Sequence, residues 1–95
     1  MKIIETDGFQ KNLEQLPKNL ITVYRKQKKI FSLNWRDSRL HTKKLKGSED
    51  YSFRITRNYR VIFYFYEDET VVFASIGHRK DIYEQIAWIT TKFLG

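Results

Sequence analysis

The sequence predicts an α+β domain in which an N-terminal strand and a helical hairpin pack on an antiparallel sheet, with a C-terminal helix to close it. Three observations predict it. Apolar residues recur at helical spacing between Phe9 and Phe31, alternating and β-branched runs take over from Tyr51 to Ile76, and helical spacing returns from Ile82 to Phe93. Ninety-five residues provide for one core and would starve two, so residues 1–95 are expected to form a single domain.

The elements follow in order. Lys2 to Glu5 reads as a short strand on its Ile-Ile pair. Asp7 with Gln10 has capping-box spacing, and Phe9, Leu13 and Leu16 follow at helical intervals, which starts a first helix near Gly8. Pro17 interrupts it and suits the first position of a second helix, running to about Leu33 with Leu20, Tyr24 and Phe31 inward. The stretch from Asn34 to Asp50 has no clean period and reads as a loop with room for a helical turn. Tyr51, Phe53 and Ile55 then alternate with polar residues, and Tyr59 to Tyr66 and Val71 to Ile76 complete a three-stranded meander joined to the first strand. Thr56-Arg57-Asn58 suits a three-residue hairpin loop with a left-handed Asn, and Glu67-Asp68-Glu69 makes the second turn. Asp81 and Glu84 repeat the capping spacing before a last helix with Ile82, Ile86, Ile89 and Phe93 on its apolar face.

Composition narrows the function. The chain has no cysteine, which removes disulfides, thiolate chemistry and Cys-based zinc sites and fits a reducing, cytoplasmic compartment. No signal-peptide core and no membrane-length apolar run occur. Lys and Arg number 18 against 11 Asp and Glu, a net charge of +7, so polyanions are the expected partners. Between Arg36 and Arg60 eight basic residues meet three acidic ones, a net of +5. The cations on the second helix, Arg25, Lys26, Lys28 and Lys29, are most simply a solvated face.

Register locates a candidate site. With a turn on Arg57, Arg54 falls directly opposite Arg60, a like-charge pair that destabilises a ladder unless an anion sits between the guanidiniums. A two-residue turn at Arg57-Asn58 would instead send the arginines to opposite faces. The same parity through a turn centred on Asp68 adds Ile62, Tyr64, Val72, Ala74, Ile76 and His78 to the arginine face. Past the last strand, Gly77-His78-Arg79-Lys80-Asp81-Ile82-Tyr83 gathers imidazole, guanidinium, ammonium and phenol at a strand end, where sites are commonly mounted. Taken singly, His78 reads as a turn histidine, Arg79 as a surface cation and Tyr83 as a packing ring; jointly with Arg54 and Arg60 they favour a site.

The strings Lys-Lys-Leu-Lys-Gly at 43 to 47, Asn-Tyr-Arg-Val-Ile-Phe-Tyr at 58 to 64 and Gly-His-Arg-Lys-Asp-Ile-Tyr at 77 to 83, in this order, resemble the RelE/ParE superfamily of toxin-antitoxin toxins over nearly the whole chain. The resemblance implies a RelE-like fold and a toxin held inactive in a heteromeric complex by a cognate antitoxin. In the RelE branch it implies cleavage of messenger RNA in the ribosomal A site. It assigns Arg60 and Arg79 to the scissile phosphate, Arg54 to a second strand cation, Tyr83 to stacking or orienting the substrate, and His78 to proton transfer. Ser52 departs from the pattern, because the best-known ribonucleolytic branch has a lysine there. Lys43, Lys44 and His41 are the candidate bases in its stead, and Arg36, Arg39, Lys46 and Arg57 are candidate RNA contacts.

Cleavage through the RNA's own 2′-hydroxyl needs in-line geometry, cations at the phosphorane and proton transfer, with no metal or other cofactor. The densest acids, Glu67, Asp68 and Glu69, lie at the far end of the sheet from His78 and Arg79, which disfavours a metal-dependent nuclease. Two rivals share the expectations: a ParE-like gyrase-inhibiting toxin without nuclease activity, and a non-catalytic RNA-binding module.

Overall fold

In the computed structural model, which describes residues 1–82, the chain runs β1 (Lys2–Glu5), α1 (Asp7–Glu14), α2 (Lys18–Leu33), a 3-10 turn (Ser38–Leu40), β2 (Lys43–Lys44), β3 (Tyr51–Arg54), β4 (Tyr59–Glu67) and β5 (Thr70–His78). The expected α+β architecture is present. The sheet order is β1-β5-β4-β3-β2; β1 pairs parallel to β5, and the other neighbours are antiparallel. The last-helix positions Ile86, Ile89 and Phe93 lie outside the described residues, as does Glu84.

The helical hairpin covers one face of the sheet because its stripe is aromatic. Phe9, Tyr24 and Phe31 meet Phe53, Phe63 and Phe73, all buried, and Phe31 stands edge-on to Phe63 and Phe73 with ring centroids 4.9 and 5.1 Å away. Each such pair adds about 0.5–1.5 kcal/mol beyond the area it buries. Burial pushes the Tyr24 hydroxyl well above the ordinary phenol range, and the Glu5 carboxylate that accepts its hydrogen bond pushes the same way.

Both helix starts differ from expectation. The cap of α1 is Thr6, whose Oγ1 accepts from the Phe9 amide at 3.1 Å, so Asp7 is the first helical residue rather than the cap. Thr6-x-x-Phe9 lacks the Glu or Gln of a capping box, and the box spacing of Asp7 and Gln10 is therefore misleading. Pro17 stands one place before α2, with φ −55° and ψ 148°, as its N-cap instead of its first residue. At the chain's far end residues 79–82 are already helical, so Asp81 lies inside the turn; the cap is His78, whose Nδ1 accepts from the Lys80 amide at 3.2 Å.

The stretch read as a loop holds the 3-10 turn and β2, which pairs with β3 through Lys43 opposite Ser52 and Lys44 opposite Tyr51. β2 leads into a four-residue turn closed by the Ser48 amide on the Leu45 carbonyl, with Gly47 at φ 75° in the third position. That left-handed position favours glycine.

The first hairpin keeps the expected register, with Arg54 opposite Arg60, although Asn58 is not left-handed: among the described residues the positive-φ positions other than glycine are His41 and Glu69. The second hairpin departs from it. Ile62 pairs with Ser75 while Phe63 pairs with Phe73, so Ala74 is an extra residue on β5. The Thr6 side chain donates to the Ala74 carbonyl at 3.3 Å, and the Thr6 amide to the Phe73 carbonyl at 3.2 Å, which fastens this bulge to the start of α1.

Candidate phosphate-binding face

Residues directly opposite in an antiparallel ladder share a face of the sheet. On β3 and β4, Phe53, Val61 and Phe63 face the helices and belong to the core, so Ser52, Arg54, Arg60, Ile62 and Tyr64 occupy the other face. Lys43 joins them through its pairing with Ser52, and Leu45, two residues on, packs there against Ile62 and Ile82. Across β5, Gly77 stands opposite Arg60 and contributes no side chain. Lys43, Arg54 and Arg60 therefore come from three adjacent strands to one face.

Arg60 is buried, with 7% of its surface exposed, and Arg54 is half-buried. The Arg54 Nε is shielded from solvent and has no hydrogen-bond partner among the described residues. The two guanidinium-bearing residues face each other on the sheet, one of them nearly enclosed, where electrostatic interactions are screened less than in water. A phosphate is a fitting ligand for such a pair because its oxygens accept hydrogen bonds from fork-shaped guanidinium donors.

The bulge at Ala74 reverses the parity expected for the end of β5. Ile76 pairs with Val61 and His78 with Tyr59, so both lie on the helix side, opposite to the arginines; the His78 and Tyr59 rings meet edge to face at 5.5 Å. The expectation that His78 rims the arginine face is thus corrected by one inserted residue, as is the placement of Ile76, whereas Val72 is on that face opposite Tyr64. His78 instead lines a cleft of about 330 Å³ with Asn12, Gln15, Tyr59 and Asp81.

The remaining candidates are spread around this centre. Arg79 is exposed, and its amide donates to the Asn58 carbonyl at 2.7 Å, which ties it to the β3–β4 loop at the arginine end of the sheet. Arg57 is exposed in that loop, and Lys46 is exposed beside Leu45. Lys44 takes the opposite face from Lys43 and approaches Glu49 at 3.8 Å; His41 is exposed at the left-handed end of the 3-10 turn. Arg39 forks onto Asp37 with contacts of 2.9 and 2.8 Å, and this hydrogen bonding lowers the Asp37 carboxyl to about 2 and raises the Arg39 guanidinium. Arg36 lies 4.6 Å from the Trp35 ring centroid, in cation–π contact. Tyr83 lies outside the described residues.

Sequence reasoning missed Gln27, a buried amide on α2 bonded to the Arg39 and Arg54 carbonyls. Helical spacing marks its position as inward, but nothing in the sequence marks its partners. Among the described residues no group of three or more His, Cys, Asp or Glu could hold a metal ion, and no helix is long and apolar enough to cross a membrane.

No protein-family model and no curated protein matches the chain. Solved structures do. The RelB-RelE antitoxin-toxin complex from Methanococcus jannaschii matches with a TM-score of 0.69 and 26% identity, over 84% of this chain and 94% of that one. The archaeal RelE-RelB complex from Pyrococcus horikoshii OT3 matches with a TM-score of 0.69 and 20% identity, over 82% and 93%. YafQ from E. coli matches with a TM-score of 0.70 and 13% identity, over 85% and 96%. The chain has the RelE-like fold that its sequence strings suggest.

Proposed function

We propose that the protein is the toxin of a type II toxin-antitoxin system and a metal-independent endoribonuclease that cuts messenger RNA on the ribosome in the cytoplasm. The observation that carries this reading is the opposition of Arg54 and Arg60 on a face shared with Lys43. Support for the toxin class comes from solved relatives of like fold, several of them toxins bound to antitoxins.

In this reading the scissile phosphate lies against Arg54 and Arg60, with Arg79 as a third cation from the loop end. The 2′-oxygen attacks phosphorus, the bond to the 5′-oxygen breaks, that oxygen takes a proton from water, and the products are a 2′,3′-cyclic phosphate and a 5′-hydroxyl. The guanidiniums stabilise the charge of the pentavalent phosphorane, commonly the largest single contribution to such a rate. Lys43 takes the proton from the 2′-hydroxyl. It replaces the missing lysine at position 52 from the adjacent strand, because Lys43 and Ser52 are ladder partners. His78 becomes a structural residue, the cap of the helical turn that begins at Arg79. Tyr83 keeps the substrate-orienting role that the family likeness gives it.

The partner follows from charge and class. A toxin of net charge +7 is expected to bind an acidic, partly disordered antitoxin that wraps it and covers the arginine face. Co-expression with the adjacent small reading frame should abolish toxicity.

A second reading, a gyrase-inhibiting toxin, is favoured by Ser52 and by His78 lying off the arginine face. Inducible expression with mapping of messenger-RNA 5′ ends separates the two. In-frame cuts within coding regions are expected; DNA damage with intact messages would establish the gyrase reading instead.

A further inference from the structure

Gln27 lies midway along α2 and is 8% exposed. Its side-chain amide donates to two carbonyls of distant segments, Arg39 at 3.2 Å and Arg54 at 2.8 Å. Packing alone would be met by an apolar residue, since Tyr24, Ile30 and Phe31 around it on the same helix are core residues. A buried amide is tolerated where its hydrogen bonds are made, so the two carbonyls explain why an amide fits there.

Their need for a donor comes from the edge of the sheet. β2 has two residues, and its ladder with β3 reaches only to Ser52, so among the described residues no strand flanks Arg54 on that side. β3 ends at Arg54 itself. The Gln27 amide supplies the missing rung and joins it to the 3-10 turn through Arg39. The strand end so fixed is the one from which Arg54 faces Arg60.

We infer that Gln27 is a positioning residue for Arg54, holding the end of β3 so that the two guanidiniums converge on one phosphate. The inference rests on the reading of Arg54 as a phosphate ligand. A displacement of about 1 Å at a reacting centre can slow a reaction on the order of a hundredfold. Gln27→Met keeps the volume and removes the donors, and about a tenfold or greater loss of single-turnover cleavage is expected, with binding of an uncleavable 2′-deoxy message little changed.

The test is a cycle of four proteins, wild type, Gln27→Met, Arg54→Ala and the double variant, each assayed on ribosomes carrying a defined message and each melted. If Gln27 works through Arg54, Gln27→Met slows the wild type but leaves the Arg54→Ala protein no slower, while its melting loss is alike in both backgrounds. Equal slowing in both backgrounds, with Arg54→Ala itself impaired, makes Gln27 a structural residue only and overturns the inference alone. Unchanged cleavage in Arg54→Ala overturns the phosphate reading and the inference together. Should Gln27→Met fail to melt cooperatively, Gln27→His, whose ring N–H can still serve one carbonyl, goes through the same cycle with a smaller loss expected. Full activity in a folded Gln27→His protein that no longer protects the Arg54 end of β3 in hydrogen exchange would equally overturn it.

Discussion

Arg54 and Arg60 oppose each other on the ladder, and in the proposed reading both guanidiniums serve the scissile phosphate. Arg60→Ala and Arg79→Ala are therefore expected to slow cleavage a hundredfold or more, on the order of 3 to 4 kcal/mol, with a smaller effect on binding. Lys26→Ala and Lys29→Ala, on the exposed side of α2, should show a modest, salt-dependent loss of affinity or none. Equal small losses in all four would mean that the arginines merely attract RNA, and single-turnover rates on the four proteins decide it. The two lysines of β2 give a sharper contrast, because adjacent strand residues take opposite faces. Lys43→Ala should remove most cleavage while Lys44→Ala leaves it near wild type; matched losses would remove Lys43 as the base. Asp37 offers a check on the electrostatics away from the site. Its carboxyl is held down to about 2 by the hydrogen bonds from Arg39, so whatever it adds to stability is complete above the ordinary Asp range and disappears as pH falls through about 2. An NMR titration should find that midpoint in the wild type and an ordinary Asp value in Arg39→Ala.

At the scale of elements, the bulge decides which side chains the site can use. Deleting Ala74 would force either Phe73 and Val71 or Ile76 off the core face, since a one-residue slip turns every following side chain over. The deletion is expected to abolish cooperative melting, whereas Ala74→Ser should change stability by about 1 kcal/mol or less. A cooperative melt in the deletion protein would show that the bulge is not what fixes the faces. The same element separates what could be read from the sequence from what could not. Helices and strands were legible because their stripes are long and aromatic, and the Arg54–Arg60 opposition was legible because the first hairpin turns on Arg57. Two β-branched or small residues in a row on β5 leave no mark of the extra one, so His78 and Ile76 were assigned the wrong side. β2 escaped notice because two lysines have no strand signal of their own; the neighbouring β3 recruits them. Thr6 is hidden behind Asp7 because both residues make good caps and only Asp7 has a Gln three residues on to complete the box spacing.

For the whole molecule, the proposed chemistry draws on cations and a proton acceptor that the protein carries itself. Cleavage is expected to survive excess EDTA wherever ribosome integrity is preserved, leaving a 5′-hydroxyl and a 2′,3′-cyclic or 3′-phosphate. Complete dependence on magnesium with a ribosome-free substrate would sink that mechanism. The parallel pairing of β1 with β5 has its own consequence for the timing of assembly. Lys2 to Glu5, made first, take partners only at Thr70 to Phe73. Such distant pairing closes a long loop, and chains dominated by it fold slowly. The sheet cannot close until nearly all of the described chain has been synthesised, and the Ala74 bulge that sorts its two faces is fastened by Thr6 only then. The β1–β5 rungs and the Thr6 brace on the bulge are therefore the last parts of the sheet to form, whereas the hairpin that sets Arg54 against Arg60 closes only a short loop and can pair without them.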